Sequence, residues 1–138
     1  MDKLLRYTLG KEEKLKSRKK IEFLFSRGKS FSSFPLRVLY AETTDMPNPK
    51  NIQAGFSASS KNFKKSVDRN RIKRLLRESY RLQKNDLEES ILQSGKKWIL
   101  FFIYTGKEIP EYNLVFDKMK FALARIQKIS NEKNSPAT

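Results

Sequence analysis

The sequence predicts a single domain of the α+β class, because strand-like and helix-like segments follow one another along the chain. Segments with an apolar residue at every second position are typical of half-buried strands. Other segments repeat apolar residues three and four positions apart, as amphipathic helices do. With 138 residues the chain has the length of one domain, and no internal repeat interrupts this order.

Three segments are expected to be helices. The first lies between Ser17, a candidate N-cap, and the helix-ending Gly28. The second runs from Ser66, as its cap, to about Gln83, and the third covers residues 112–129. Each has apolar residues on one side only, as helices that pack on a core require.

Four strands are expected, over residues 29–32, 34–42, 52–59 and 97–104. The last is apolar on both faces, which predicts a central strand. The third alternates between an apolar set and a small polar set. The polar set consists of Gln53, Gly55, Ser57 and Ser59. Such a face suits a ligand, although simple solvent exposure explains it as well.

The net charge predicts a polyanionic partner. Thirty Lys and Arg residues against fifteen Asp and Glu give a formal charge of +15. A compact chain with this charge repels itself, and a polyanion such as nucleic acid relieves the repulsion. Residues 61–84 alone hold ten basic and two acidic side chains. The binding surface is therefore expected there.

A membrane partner is not expected. The longest apolar run, residues 98–104, has seven residues, whereas a transmembrane helix needs roughly 20. Residues 1–6 lack the apolar stretch of a secretory signal. The sequence therefore predicts a cytoplasmic protein.

Catalysis by the chain alone is also not expected. With no cysteine and no histidine, it lacks a thiolate nucleophile, the commonest general base and the commonest zinc ligands. A self-sufficient nuclease would need carboxylates that converge on metal ions or act as a base. The acidic pairs Glu12-Glu13 and Glu88-Glu89 are interpreted as solvated surface. No catalytic residue and no metal site made by protein ligands alone is predicted.

The second helix is expected to present a row of cations to solvent. On a helical wheel, its apolar side consists of Ile72, Leu75, Leu76 and Leu82. Its opposite side consists of Arg69, Asn70, Lys73, Arg74, Arg77 and Arg81. Arg71 falls at the edge of the apolar side. Solvated basic faces usually carry acidic residues in i, i+4 pairs, but only Asp68 and Glu78 are acidic in this region. Phosphate binding is therefore favoured.

The run from Arg69 to Arg81, RNRIKRLLRESYR, resembles the signature helix of the protein subunit of bacterial ribonuclease P. Two flanking segments agree with this family in order and distance. Residues 15–28 resemble its first helix, and residues 55–59 resemble the strand before its basic loop. The resemblance covers residues 15–83.

The resemblance implies a two-layer α/β sandwich with the element order α-β-β-β-α-β-α, similar to the second domain of ribosomal protein S5. It implies one RNA-binding domain over residues 14–129. Residues 1–13 are expected to form a flexible extension and residues 130–138 a flexible tail.

The resemblance also implies a role in a ribonucleoprotein endoribonuclease that removes the 5′ leader of precursor tRNA. In this family the RNA subunit hydrolyses the phosphodiester with Mg²⁺, bound mainly by that RNA and the substrate, and no organic cofactor takes part. The expected partners are the ribonuclease P RNA subunit and precursor tRNA.

Site residues follow from the resemblance and the charge pattern together. The expected RNA-binding residues are Lys61, Lys64, Lys65, Arg69, Asn70, Arg71, Lys73, Arg74, Arg77 and Arg81. The expected leader-binding groove consists of Phe25, Tyr40 and Ser57. Phe31 is a further candidate for base stacking. The chain departs from the family at Ser60, where a lysine is usual, and at Ile21, where many members have an aromatic residue.

One alternative is a structural protein of the ribosomal type that binds rRNA with the same basic helix. Both hypotheses predict RNA binding that weakens with salt, and they differ in whether the chain supports cleavage by ribonuclease P RNA. A DNA-reading helix-turn-helix is disfavoured, because the basic helix follows a strand and not a second helix.

Overall fold

The structure, a computed structural model, describes residues 9–10, 13–44, 46 and 51–133. Its helices are α1 (Arg18–Arg27), α2 (Ser66–Gln83), α3 (Asn85–Ser94) and α4 (Tyr112–Lys133). Its strands are β1 (Lys29–Ser33), β2 (Leu36–Glu42), β3 (Ile52–Ala58) and β4 (Trp98–Tyr104). The α+β class and the order of the predicted helices and strands are confirmed.

The helix α3 is an addition that the sequence analysis does not predict. Its buried stripe consists only of Leu87 and Ile91, which is too short a pattern to identify a helix. It also follows α2 after the single residue Lys84, with no glycine or proline between them. Gly95, with a φ of 73°, ends α3 in the left-handed conformation that glycine adopts readily.

The four strands form one sheet with the order β1-β2-β4-β3. β4 is antiparallel to β2 and parallel to β3, so that Phe102 lies between Val38 and Phe56 in the register. The predicted central position of this strand is therefore confirmed. At the free edge of β3, the amide of Leu15 donates to the carbonyl of Ala54 at 2.9 Å.

The two faces of the sheet carry different helices. Leu100 and Phe102 of β4 face a large core that α2, α3 and α4 cover. Ile99 and Phe101 face the other way, into a smaller core with Leu24 of α1. No helix among the described residues is both long and apolar enough to cross a lipid bilayer.

Local sequence accounts for both ends of α1. The side chain of Ser17 accepts a hydrogen bond from the amide of Lys20, as an N-cap does. The amide of Gly28 donates to the carbonyl of Leu24 at 3.0 Å. A Cβ at Gly28 would lie 2.6 Å from that carbonyl oxygen, so only glycine allows this close approach.

Parts of the two segments expected to be flexible belong to the fold. α4 continues to Lys133, and Ser130, expected in a flexible tail, is fully buried. Glu13, expected in a flexible extension, is also buried. Residues 1–8, 11–12 and 134–138 of these two segments lie outside the described residues.

A buried ionic cluster joins the start of the domain to the junction of α2 and α3. Lys84 is 1% exposed and forms ion pairs with Glu13 and Glu88. Glu13 also accepts a hydrogen bond from the amide of Gly10 at 2.6 Å. The interpretation of Glu13 and Glu88 as solvated surface is therefore wrong: Glu13 is buried through its contact with the distant Lys84, and Glu88 is half-buried beside them.

The two carboxyl groups of the cluster titrate differently. Burial, together with a hydrogen bond to Glu13, raises the pKa of Glu88 to about 7. Burial also acts to raise the pKa of Glu13, but the hydrogen bonds from Lys84 and Gly10 outweigh it and lower that pKa. The neighbouring Tyr80 is buried, which raises the pKa of its phenol, as do the two carboxylates.

The free energy of unfolding should therefore decrease as the pH rises from about 5 to about 8. In this range folded Glu88 keeps a proton that the unfolded chain has released, so deprotonation favours unfolding. Glu88→Gln removes this titration, and its free energy of unfolding should decrease less over the same range. Urea unfolding at several pH values measures both slopes.

The matched control is Glu89→Gln, which changes an exposed glutamate in the same helix. Its dependence on pH should equal that of the unmodified chain. A Glu88→Gln variant with an unchanged dependence would contradict the assignment of the proton to Glu88.

Candidate nucleic-acid interface

The buried side of α2 is rotated relative to the wheel drawn from sequence. It consists of Ile72, Leu76, Ser79 and Tyr80, whereas Leu82 is exposed. The ring of Tyr80 packs against Phe56 at 5.5 Å and against Phe102 at 5.6 Å between ring centroids. Aromatic contacts with the sheet therefore decide which side of α2 is buried.

This rotation leaves most of the predicted cations of α2 in solvent. Arg71, expected at the edge of the apolar side, is exposed together with Asn70, Arg74 and Arg77. Lys73 is half-buried. These five residues form a continuous polar surface along the helix, which we call the α2 face. Its chemistry suits phosphate groups, which guanidinium groups bind through charge-assisted hydrogen bonds.

Arg81 is at the end of the row and is paired within the helix. Its Nε donates to Oε2 of Glu78 at 3.2 Å, and its Nη2 forms an ion pair with the same carboxylate. The hydrogen bond from Arg81 lowers the pKa of Glu78. Arg81 therefore adds less positive charge to the surface than the sequence suggests.

Arg69 holds the loop that precedes α2. Its Nη1 donates to the carbonyl oxygens of Phe63 and Lys64, at 2.8 Å each. Phe63 is itself buried against the ring of Tyr104, with centroids 6.0 Å apart. The role of Arg69 within the fold is therefore to position the loop, and it is only half-buried.

The loop over residues 59–65, which we call the basic loop, presents lysines from a fixed backbone. The side-chain amide of Asn62 donates to the carbonyls of Thr105 and Gly106, at 3.3 and 3.2 Å. The predicted binding residues of the loop, Lys61, Lys64 and Lys65, are all exposed. Lys65 precedes the first helical residue of α2, so the expected cap Ser66 lies inside the helix instead.

A groove lies on the other face of the sheet, between α1 and β3. Phe25 of α1 is 57% exposed, and its ring meets that of Phe101 edge to face with centroids 5.5 Å apart. The predicted polar set of β3 does face this groove, with Gln53 and Ser57 half-buried. Nζ of Lys20 in α1 donates to Oε1 of Gln53 at 3.2 Å.

Phe101, the floor of the groove, was not identified from the sequence. A Cβ at Gly55 would lie 2.6 Å from Cδ1 of Phe101, so the ring lies directly over the glycine. The available signal was a glycine within an otherwise regular strand, which often marks the close approach of another group. Phe25 and the polar set of β3 therefore lie on the same face of the sheet, where the ring of Phe101 contacts both Phe25 and Gly55.

The structure does not bring Tyr40 into the groove. Its ring is buried on the opposite face, between Phe31 at 5.9 Å and Trp98 at 6.1 Å. Phe31 is buried there as well, under the guanidinium of Arg125 at 4.8 Å from the ring centroid. Since Tyr40 follows Val38 in the strand alternation, the side chain faces the large core and not α1.

Within the described part of the chain, no three acidic side chains lie close enough together to hold a metal ion. The geometry therefore provides two polar surfaces on opposite faces of the sheet: a cationic one on α2 with the basic loop, and a groove with exposed aromatic surface.

Comparison with known proteins relates the chain to one family. The family model of ribonuclease P matches residues 9–127. The ribonuclease P protein component of Porphyromonas gingivalis is 33% identical over 120 residues, which are 87% of each chain. That of Chlorobium phaeobacteroides is 33% identical over 117 residues, covering 78% of this chain and 80% of the relative.

A solved structure supports the fold. The RNase P protein of Staphylococcus aureus has a TM-score of 0.65 to this chain, covering 83% of this chain and 94% of its own. With 16% identity, this likeness concerns the fold alone. Together with the family match over most of the chain, it leads to one conclusion: the chain belongs to the ribonuclease P protein component family.

Proposed function

We propose that this chain is the protein subunit of a ribonuclease P holoenzyme, in which it binds the RNA subunit and the 5′ leader of precursor tRNA. The single observation that carries the proposal is the α2 face, where Arg71, Arg74 and Arg77 are exposed on a helix whose other side is core. Lys and Arg residues clustered on one face of a helix, with few acidic neighbours, are the electrostatic pattern that binds the phosphate backbone of a nucleic acid.

The α2 face and the basic loop would bind the RNA subunit. Lys61, Lys64 and Lys65 continue the cationic surface beyond the start of α2, and Arg69 keeps their backbone in place. These groups contact phosphate and carry no base information. This part of the interface therefore contributes affinity and orientation.

The groove would bind the single-stranded leader. Unpaired bases stack on aromatic rings, and Phe25 presents an exposed ring on the face of the sheet to which Ser57 also belongs. Ile21, where many members of the family have an aromatic residue, is half-buried against the smaller core. Phe25 would therefore provide the main stacking surface.

The chemical step would belong to the RNA. Mg²⁺, bound mainly by the RNA subunit and the substrate, would supply the activated water and stabilise the leaving oxygen. The residues of this chain would neither move a proton nor bind the metal alone. They would hold the two RNA molecules in register, which converts a weak encounter into an oriented one.

Reconstitution tests this proposal against a purely structural role on rRNA. Adding the chain to ribonuclease P RNA should restore cleavage of precursor tRNA at a magnesium concentration too low for the RNA alone. The chain without RNA should not cleave at any magnesium concentration. Gel analysis of the 5′ end reports both results. Failure to restore cleavage while rRNA is bound tightly would favour the structural role.

Charge reversal on α2 should weaken binding of the RNA subunit. In Lys73→Glu with Arg77→Glu, each lost phosphate contact should reduce the magnitude of the slope of log affinity against log salt by at most about 0.9, the value for a duplex, and by less on single strands. Filter binding at several salt concentrations measures the slope. The matched control reverses Lys120 and Lys128, which are exposed on α4. If the two double variants lose the same affinity for RNA, the interface is not on α2.

Replacement of Phe25 by leucine should selectively weaken binding of leader-bearing substrate. The loss expected for one stacked base is about 1–3 kcal/mol, whereas mature tRNA, which has no leader, should bind the holoenzyme as before. The matched control is Phe23→Leu, on the other flank of α1 and 44% exposed. Equal losses for both RNAs, or a lower melting temperature, would assign Phe25 to the core instead.

A further inference from the structure

An open recess of about 540 Å³ lies at the end of the sheet where the β1–β2 turn meets the connection from β4 to α4. This volume is within the range of roughly 300–1,000 Å³ that is typical of small-molecule sites. The lining includes Phe34, Pro35, Tyr104, Leu114, Lys107 and Lys118. None of these residues belongs to the α2 face or to the groove.

Phe34 presents an aromatic ring at the rim of this recess. It is 69% exposed, although it is one of only two residues between paired strands. The turn is held from behind: the amide and the hydroxyl of Thr105 both donate to the carbonyl of Pro35, at 2.8 and 3.0 Å. The exposed ring therefore projects from a fixed backbone, so the backbone of the turn need not be ordered when a ligand binds.

The floor of the recess is also preformed. The hydroxyl of Tyr104 donates to the carbonyl of Glu108 at 2.6 Å. A Cβ at Gly106 would lie 2.3 Å from that hydroxyl oxygen, so the loop is packed tightly on the tyrosine ring. These backbone and hydroxyl groups are already hydrogen-bonded within the protein, which leaves an apolar surface and charged side chains for a ligand.

The charges around the recess favour an anionic ligand. Lys107 is exposed and Lys118 is half-buried, and both line the recess with a single carboxylate, that of Glu108. An aromatic ring beside ammonium groups is the combination that binds single-stranded nucleic acid, where bases stack and cations meet phosphates. A peptide that binds this surface would need acidic residues for the two lysines and also a group that packs on the ring of Phe34.

The recess adjoins the basic loop. Asn62 of that loop donates to the carbonyls of Thr105 and Gly106, which are in the wall of the recess. The exposed lysines of the basic loop and the two lysines of the recess therefore lie at the same end of the sheet. An RNA strand on the basic loop has a cationic path into the recess.

We propose that this recess binds one unstacked nucleotide of the ribonuclease P RNA, with its base on Phe34 and its phosphate at Lys107 and Lys118. The inference rests on the proposed function, because it takes the RNA subunit as the ligand of the basic loop. It adds a base-stacking contact to an interface that otherwise consists of phosphate contacts.

The test uses the full chain and two probes. The first is ribonuclease P RNA, and the second is a short single-stranded RNA that contains one 2-aminopurine, whose fluorescence is quenched by stacking. Because bases are also expected to stack on Phe25, the quenching is measured in a Phe25→Leu background, where the addition of Phe34→Leu should abolish it. Phe34→Leu alone should lose about tenfold in affinity for ribonuclease P RNA, as expected for one stacked base. Phe34→Tyr keeps an aromatic ring and should retain both.

The matched control is Phe121→Leu, which removes a 63% exposed phenylalanine outside the recess. This variant should behave as the unmodified chain. Lys118→Gln is an independent test, because it keeps the ring of Phe34 but removes one cation. It should lower the salt dependence of RNA binding. Melting temperatures establish that all variants are folded.

Two results would overturn the proposal. The first is that Phe34→Leu and Phe121→Leu show the same affinity for RNA and the same quenching of the probe. The other is a loss of self-association by Phe34→Leu in sedimentation with RNA binding unchanged, which would make the recess a protein contact. If these results occur while the charge reversals at Lys73 and Arg77 still weaken RNA binding, only this inference fails. If those reversals have no effect, the proposed function fails with it.

Discussion

The burial of β4 on both of its faces is the constraint on which the rest of the structure depends. All seven of its residues are apolar or aromatic, and six of them are buried. A large apolar side chain removed from water stabilises a fold by roughly 1.5–3 kcal/mol, so this strand must be covered on both sides. Its neighbours β2 and β3 take their register from it, and helices cover its two faces.

This constraint also places the candidate binding surfaces. Because α2 covers one face of the sheet and α1 only part of the other, the cationic helix and the aromatic groove lie on opposite sides. Phe101 contributes to the core and to the groove. It belongs to the smaller core, and its ring lies over Gly55 as the floor of the groove. In the proposed function, this separation places the phosphates of the RNA subunit and those of the leader on opposite sides of the sheet, which reduces their mutual repulsion.

The positive charge of the chain is tolerated because the fold keeps most of it in solvent. Lys84, between α2 and α3, is the buried exception. The carboxylate of Glu13, whose pKa is lowered, compensates its charge, whereas Glu88 becomes a second carboxylate partner only as the pH rises through about 7. Removing a charged group from water is costly unless it is paired. The exposed cations of α2 have few such partners within the described residues, so their repulsion is relieved most effectively by an external polyanion.

The sequence by itself determined the four strands, the helices α1, α2 and α4, the central position of β4, the polar face of β3 and the cationic side of α2, because periodicity and local charge are properties of neighbouring residues. Only the tertiary structure decided the packing partners. It buried Tyr80 instead of Leu82, turned Tyr40 to the large core, and joined Glu13 to Lys84 across 71 positions of the chain. A repeating pattern identifies the residues that share a face, but the contact that this face makes depends on the positions of distant segments.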